Sequence, residues 1–249
     1  MFQLVEDSRP NIARQLREQE LSAALLSPLD YAKDSSDYCV IPCIAAISPE
    51  GNNSIVVRFR EGIRNFQTLA VDPHYASEIV LAKIVLAEEF EIEPTILPMI
   101  GSADAMLQKA DAALLVGNVA LRERGNSDNI IDITEDWTDM TGLPFVHAIW
   151  CGREGDLTKE EVQQLQQAAI KGVAGIDDIL LELQKEERET TRQYLESFSY
   201  EMNDEAKAAI AEFMKYLYYH AITPDVSELN FYKTEDEEND HLLSDVSPN

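Results

Sequence analysis

The sequence predicts an α/β fold with mostly parallel strand pairing. Three observations carry that expectation. Short apolar, β-branched runs alternate with segments of helical apolar spacing as far as Trp150. The chain has 249 residues, 45% of them hydrophobic, enough to build a sizeable core in one large domain or two lobes. From Thr158 onward the pattern turns helical and closes the chain.

The elements follow in order. "FQLV" reads as a short strand. "DSRPNIARQLREQEL" reads as a helix, with Ser8 as cap, Pro10 in the first turn, and Ile12 and Leu16 on one face. "SAALLSPLDYA" is a short apolar run and a turn. "YCVIPCIAAIS" is a buried strand interrupted by Pro42, and the "PEGNN" turn leads to the strand "SIVVRF". "FQTLAVD" is the next strand and leads into the helix "YASEIVLAKIVLAEEF". "EPTILPMI" is a strand, "SADAMLQKA" a short helix capped by Ser102, and "DAALLVGN" a strand ending in glycine. "NIIDITEDW" reads as a connecting segment, and "TGLPFVHAIW" as a turn feeding a strand. "TKEEVQQLQQAAIKGV" opens with a T-x-x-E capping box. A helix spans roughly 175–189, and "NDEAKAAIAEFMKYLYYH" is the last. The acidic tail after Lys233 has no apolar period and reads as disordered.

The charge balance limits the partners. Forty-six acidic against 20 basic side chains give a formal net charge of −26. Such a surface repels phosphate backbones and anionic lipids, which argues against a nucleic-acid or membrane partner. The three cysteines, Cys39, Cys43 and Cys151, are too few for a disulfide framework. Cys39 and Cys43 lack the further ligands a zinc site needs and read as small, half-buried core residues. The first ten residues do not resemble a signal peptide, and no apolar run is long enough to span a bilayer, so a cytoplasmic location is expected. In open parallel sheets, ligands bind beyond the carboxyl ends of strands, against helix N-termini. "NNSIVV", "DPHYASE" and "LLVGNVAL" fit that role.

Taken together, "DAALLVGNVAL", "IDITEDWTDMTGLPFVHAIW" and "YYHAITPDVSEL" resemble the chorismate dehydratases of the futalosine route to menaquinone. "DSRPNIARQLREQELSAALLSPLDYA" and "AISPEGNNSIVVRF" extend the resemblance to nearly the whole chain, from Phe2 to Tyr232. The W-x-x-x-T-G-L-P-F block is its most specific part. The resemblance implies a two-lobed fold like the type II periplasmic binding proteins, with a cleft between lobes and a helical C-terminal segment. It places 1–60 and 150–233 in one lobe and 61–149 in the other. It also implies a lyase that removes water from chorismate to give 3-[(1-carboxyvinyl)oxy]benzoate, with neither metal nor organic cofactor. The partner is then a small anion, chorismate or an analogue. A non-catalytic binder of small anions derived from that family is the alternative.

The site residues follow from the same resemblance. Ser54 and Ser77 would bind carboxylate, Asn118 would meet the ring hydroxyl region, and Gly142, Leu143, Pro144 and Phe145 would shape the pocket. Each polar candidate has a purely structural alternative. Ser54 satisfies a turn, Ser77 caps a helix, and Asn118 fills a left-handed or capping position. The chain departs from the family at three places. The first strand and its Ser-Tyr-Leu-Asn-like loop find no match, which leaves the base unassigned. Relatives carry Ser-Arg-Thr-Ser where this chain has Tyr75, Ala76, Ser77 and Glu78. They carry Gly-Asp where it has Gly117 and Asn118. Strand alternation puts Phe145, His147 and Ile149 on one face, and His147 reads as a hydrogen-bonded histidine of that strand rather than a catalytic group.

Overall fold

The computed structural model describes residues 2–62, 65–123 and 129–233; the tail expected to be disordered lies outside them. Helix α1 (Arg9–Arg17) starts behind Ser8 with proline in its first turn, where a missing N–H costs nothing. It buries Ala13 and Leu16 beside strand β1 (Ala23–Leu26). Ser27 caps helix α2 (Pro28–Lys33) by accepting from the Asp30 N–H. Strand β2 (Tyr38–Ser48) follows. Pro42 cannot donate to the ladder, and the register shifts between Val40 and Ala45, with Cys43 at φ 69°. Cys43 is therefore exposed, not half-buried as expected; Cys39 is half-buried and Cys151 buried.

Eight strands among the described residues form two sheets. The first has the order β1-β8-β2, with β8 (Phe145–Arg153) antiparallel to both neighbours. The second has the order β5-β4-β6-β3-β7, built from β3 (Ile55–Phe59), β4 (Thr68–Val71), β5 (Thr95–Pro98), β6 (Ala112–Val116) and β7 (Ile130–Asp132). The expectation of mostly parallel pairing is corrected here. Only β4 with β5 and β4 with β6 are parallel. Those strands are linked through α3 (Ala76–Phe90) and α4 (Ala103–Leu107), the crossovers that parallel pairing requires. Strands β3 and β8 each enter straight from a crossing between the sheets and run against their neighbours. Strand β3 lies in the second sheet, between β6 and β7.

Three further expectations differ. Phe2–Val5 is not a strand: it has no ladder partner, and Leu4 is 74% exposed. "NIIDITEDW" is not a mere connection but β7 followed by helix α6 (Ile133–Thr141), capped by Asp132. The helix expected over 175–189 is two helices, α8 (Ile176–Glu182) and α9 (Lys185–Glu196), separated at an extended Leu183. The Arg188 guanidinium donates to the Leu181 and Leu183 carbonyls and so satisfies the broken end. Helix α5 (Asn118–Leu121) is one turn after β6. Helix α7 (Lys159–Ala174) has the predicted capping box between Thr158 and Glu161. Helix α10 (Asp204–Tyr219) starts behind Asn203 and buries Ile210, Phe213 and Leu217 on one face. No helix among the described residues is long and apolar enough to cross a membrane.

Helix α6 carries acidic side chains on adjoining turns. Burial, then the neighbouring charges of Asp132, Glu135, Asp139 and Glu89, push the half-buried Asp136 carboxyl up from 3.8 to about 6. Its folded-state value lies above its unfolded one, so the folded chain holds the proton more tightly. Stability is therefore lost as pH rises from about 4 to about 6. Asp136→Asn is expected to melt like the wild type below pH 4 and higher than it above pH 6, read by melting temperature against pH.

Candidate functional site

The chain passes from the first sheet to the second between Ser48 and Ile55, and returns through α6 and the turn before β8. A buried polar seam joins these two crossings. Asn52 is 2% exposed. Its Oδ1 accepts from the Ser54 N–H at 3.1 Å, which fixes the amide so that Nδ2 donates to Ser48 Oγ at 2.6 Å. The Ser48 hydroxyl also hydrogen-bonds His147 Nε2, 2.7 Å away.

Asp132 ties the seam to α6. One carboxylate oxygen accepts from the Asn53 N–H at 2.6 Å. The other accepts from the Thr134 N–H at 3.0 Å and from its hydroxyl at 2.7 Å. Thr134 Oγ1 in turn accepts from the Asn52 N–H at 3.3 Å. Asn53 stands at φ 56°, a left-handed value that asparagine tolerates better than most residues.

His147 is hydrogen-bonded, as its place in the strand suggested. Its ring meets Phe145 and Phe198 edge-on, with centroids 4.9 and 5.0 Å away. Burial, and then the positive charge of Arg9, push it down to about 3. It is thus neutral at pH 7. Nitrogen-15 NMR of the imidazole is expected to show a neutral ring throughout pH 5–8. A midpoint inside that range would show that the histidine is not held in this seam.

Arg9 lies where the lobes approach each other. It opens α1, and its Nη1 donates to Glu78 Oε1 in the first turn of α3. Its guanidinium also stands 6.0 Å from the centroid of the Tyr75 ring. Glu78 is buried, and so is Ser77 beside it.

The other expected site residues fall in two places. Ser54 is buried, and its carbonyl accepts from the Gly117 N–H at 2.7 Å. The structure thereby brings Ser54 beside Gly117 and the exposed Asn118, the first residue of α5. Gly142 closes α6 at φ 67°, a conformation that strains any L-residue with a side chain. Leu143 donates its N–H to Thr141 Oγ1. Pro144 and Phe145 are buried: the Pro144 carbonyl accepts from the Trp137 indole at 3.2 Å, and Phe145 packs edge-on against Trp137. Residue patterns did not single out Arg9, Ser48, Asn52, Asp132 or Thr134. Among the described residues no group of three or more His, Cys, Asp or Glu is placed to hold a metal ion.

Comparisons with known proteins agree with this architecture. The chain superposes on a protein of Archaeoglobus fulgidus with a TM-score of 0.66 and 18% identity, over 88% of this chain and 86% of the other. It matches the periplasmic aliphatic sulphonate binding protein of Escherichia coli with a TM-score of 0.63 and 13% identity, over 89% and 82% of the two chains. The ligand-binding component of an ABC-type import system from Staphylococcus aureus gives 0.60 and 12%, over 98% and 87%. At such identities the likeness shows the fold, a two-lobed α/β architecture like that of the periplasmic binding proteins. The model of a family described as menaquinone biosynthesis matches residues 1–219. The chain belongs to this menaquinone biosynthesis family, as its motifs suggested.

Proposed function

We propose that the chain removes water from chorismate to give 3-[(1-carboxyvinyl)oxy]benzoate, a carbon–oxygen lyase step of the futalosine route, carried out in the cytoplasm. Family membership over residues 1–219 supports the pathway. The observation that carries the site is Arg9 reaching from α1 to Glu78 in the first turn of α3. In this reading the ligand lies between one lobe built from both ends of the chain and another built from the middle.

The chemistry needs two anchored carboxylates, a base for a ring proton, and help for the departing hydroxyl. One ring C–H and one C–O bond break, water leaves, and the ring becomes aromatic. Arg9 supplies a cation for one carboxylate. Ser77 and the N–H groups opening α3 favour negative charge at that helix end. Ser54 and Asn118 add polar contacts, and the turn from Gly142 to Phe145 shapes one wall. His147, neutral, serves as a positioning residue. The base is not assigned, and the reading calls for no metal or organic cofactor.

One observation favours a second reading, a binder without turnover. Glu78 already holds Arg9, and a carboxylate at this point opposes an anionic ligand. The similar Escherichia coli protein is a sulphonate binder. Calorimetric titration with chorismate and with an alkanesulfonate tests the anion preference. Saturable heat with chorismate alone is expected. Binding of the alkanesulfonate alone would support the binder and sink the chorismate reading.

A further inference from the structure

Among the described residues, one buried side-chain nitrogen or oxygen atom has no hydrogen-bond partner: Glu78 Oε2. Glu78 is 4% exposed. An acidic residue in the first turn of a helix is favoured by the helix dipole, but that benefit is available at the surface and does not require burial. A buried carboxylate oxygen left without a donor is costly and calls for a partner. The second oxygen of the same carboxylate is held by Arg9, which reaches across from α1 and whose side chain remains 53% exposed. The orphan acceptor therefore sits where the two lobes meet, beside a cation with further N–H donors.

We propose that Glu78 determines which ligand the cleft accepts: its Oε2 takes a hydrogen bond from a ligand hydroxyl, while Arg9 binds a carboxylate of the same ligand. This rests on the reading of a small-anion cleft between the lobes and narrows its ligands to hydroxy-carboxylates. A carboxylate cannot satisfy Oε2, because it brings like charge and no donor. An ammonium group is disfavoured, because Arg9 already neutralises Glu78 and would repel a second cation. A neutral hydroxyl satisfies the acceptor without adding charge. Chorismate, with carboxylates and a ring hydroxyl, belongs to this class.

The test uses matched pairs on the full chain: 3-hydroxycyclohexanecarboxylate against cyclohexanecarboxylate, and 3-hydroxybenzoate against benzoate. Affinities are measured by calorimetry for the wild type and for Glu78→Leu. That variant keeps an apolar side chain of similar length, leaves Arg9 to the ligand carboxylate, and offers the ligand hydroxyl neither acceptor nor donor. The wild type is expected to prefer the hydroxylated member of each pair by about tenfold, and Glu78→Leu to lose most of that preference. The readout is a ratio of affinities on one folded protein, so a change in stability cancels. Equal affinity within the pairs, a preference that the variant keeps, or no binding by any of the four overturns the proposal. Chorismate titration and turnover on the same preparations separate the two readings. A Glu78-dependent hydroxyl preference with chorismate neither bound nor converted refutes chorismate as substrate and leaves Glu78 in its role.

Discussion

Trp137→Ala is expected to cost about 3–5 kcal/mol of stability, the range for removing a fully buried large aromatic side chain. Trp137 has no exposed surface. It meets Phe145, Phe213 and Tyr216 edge-on, with centroids 6.0, 5.7 and 5.5 Å away. Its indole N–H donates to the Pro144 carbonyl. One side chain thus joins α6, the turn into β8, and α10. Truncation leaves a cavity at that junction and orphans the Pro144 carbonyl. Trp137→Phe keeps most of the volume and is expected to lose much less. Urea denaturation of the three proteins checks this. A loss below about 1 kcal/mol for the alanine variant would show that the three elements are not held through this side chain.

Asp132→Ala is expected to cost about 2–4 kcal/mol, from the loss of a helix cap and of bonds to buried donors. Asp132 is 8% exposed, and its carboxylate accepts from Thr134, Glu135 and Asn53. The Asn53 bond joins the first crossing to the helix that begins the return. Without it the Asn53 N–H is orphaned, and the Asn52–Ser48–His147 seam loses its support from α6. Asp132→Asn keeps one acceptor and is expected to lose about half as much. Chemical denaturation gives the energies. The His147 imidazole NMR signal reports the seam, and it is expected to broaden or shift in Asp132→Ala.

Most elements were legible because they carry local signals. Pro10, the Thr158–Glu161 box and Asn203 mark helix starts by chemistry that acts within one turn, whereas Ser8, expected as a cap, makes no side-chain capping hydrogen bond. Strand direction was not legible. Parallel or antiparallel pairing depends on whether a crossover helix intervenes, and β3 and β8 enter from crossings that the spacing does not reveal. Helix α6 was missed although Asp132 with Glu135 and Asp136 behind it forms an acidic helix start, with Ile133 and Trp137 one turn apart. The break at Leu183 has no glycine or proline; Arg188 satisfies the carbonyls from five and seven residues away. Phe2–Val5 shows the converse failure, an apolar run with no neighbour to pair with.

The site was legible only in part. Ser54, Gly117 and Asn118 do come together, two segments from distant parts of the chain. The ion pair between Arg9 and Glu78 spans 69 positions, and no spacing rule finds it. One local sign existed. Arg9 opens α1, where the helix dipole disfavours a cation, so its placement there called for a partner elsewhere. Asn52 looked like an ordinary turn residue, and only the fold shows that its side chain is buried between the crossings.

We propose that this chain converts chorismate in the cleft between its lobes. The most direct measurement is incubation of the purified full chain with chorismate, following the aromatic product by chromatography and absorbance beside a protein-free control. The account predicts 3-[(1-carboxyvinyl)oxy]benzoate well above the spontaneous background, with the rate falling when Arg9 is changed to alanine. Folded protein that yields no product above background would contradict it, and the chain would then be a binder that has kept the family's fold without its reaction.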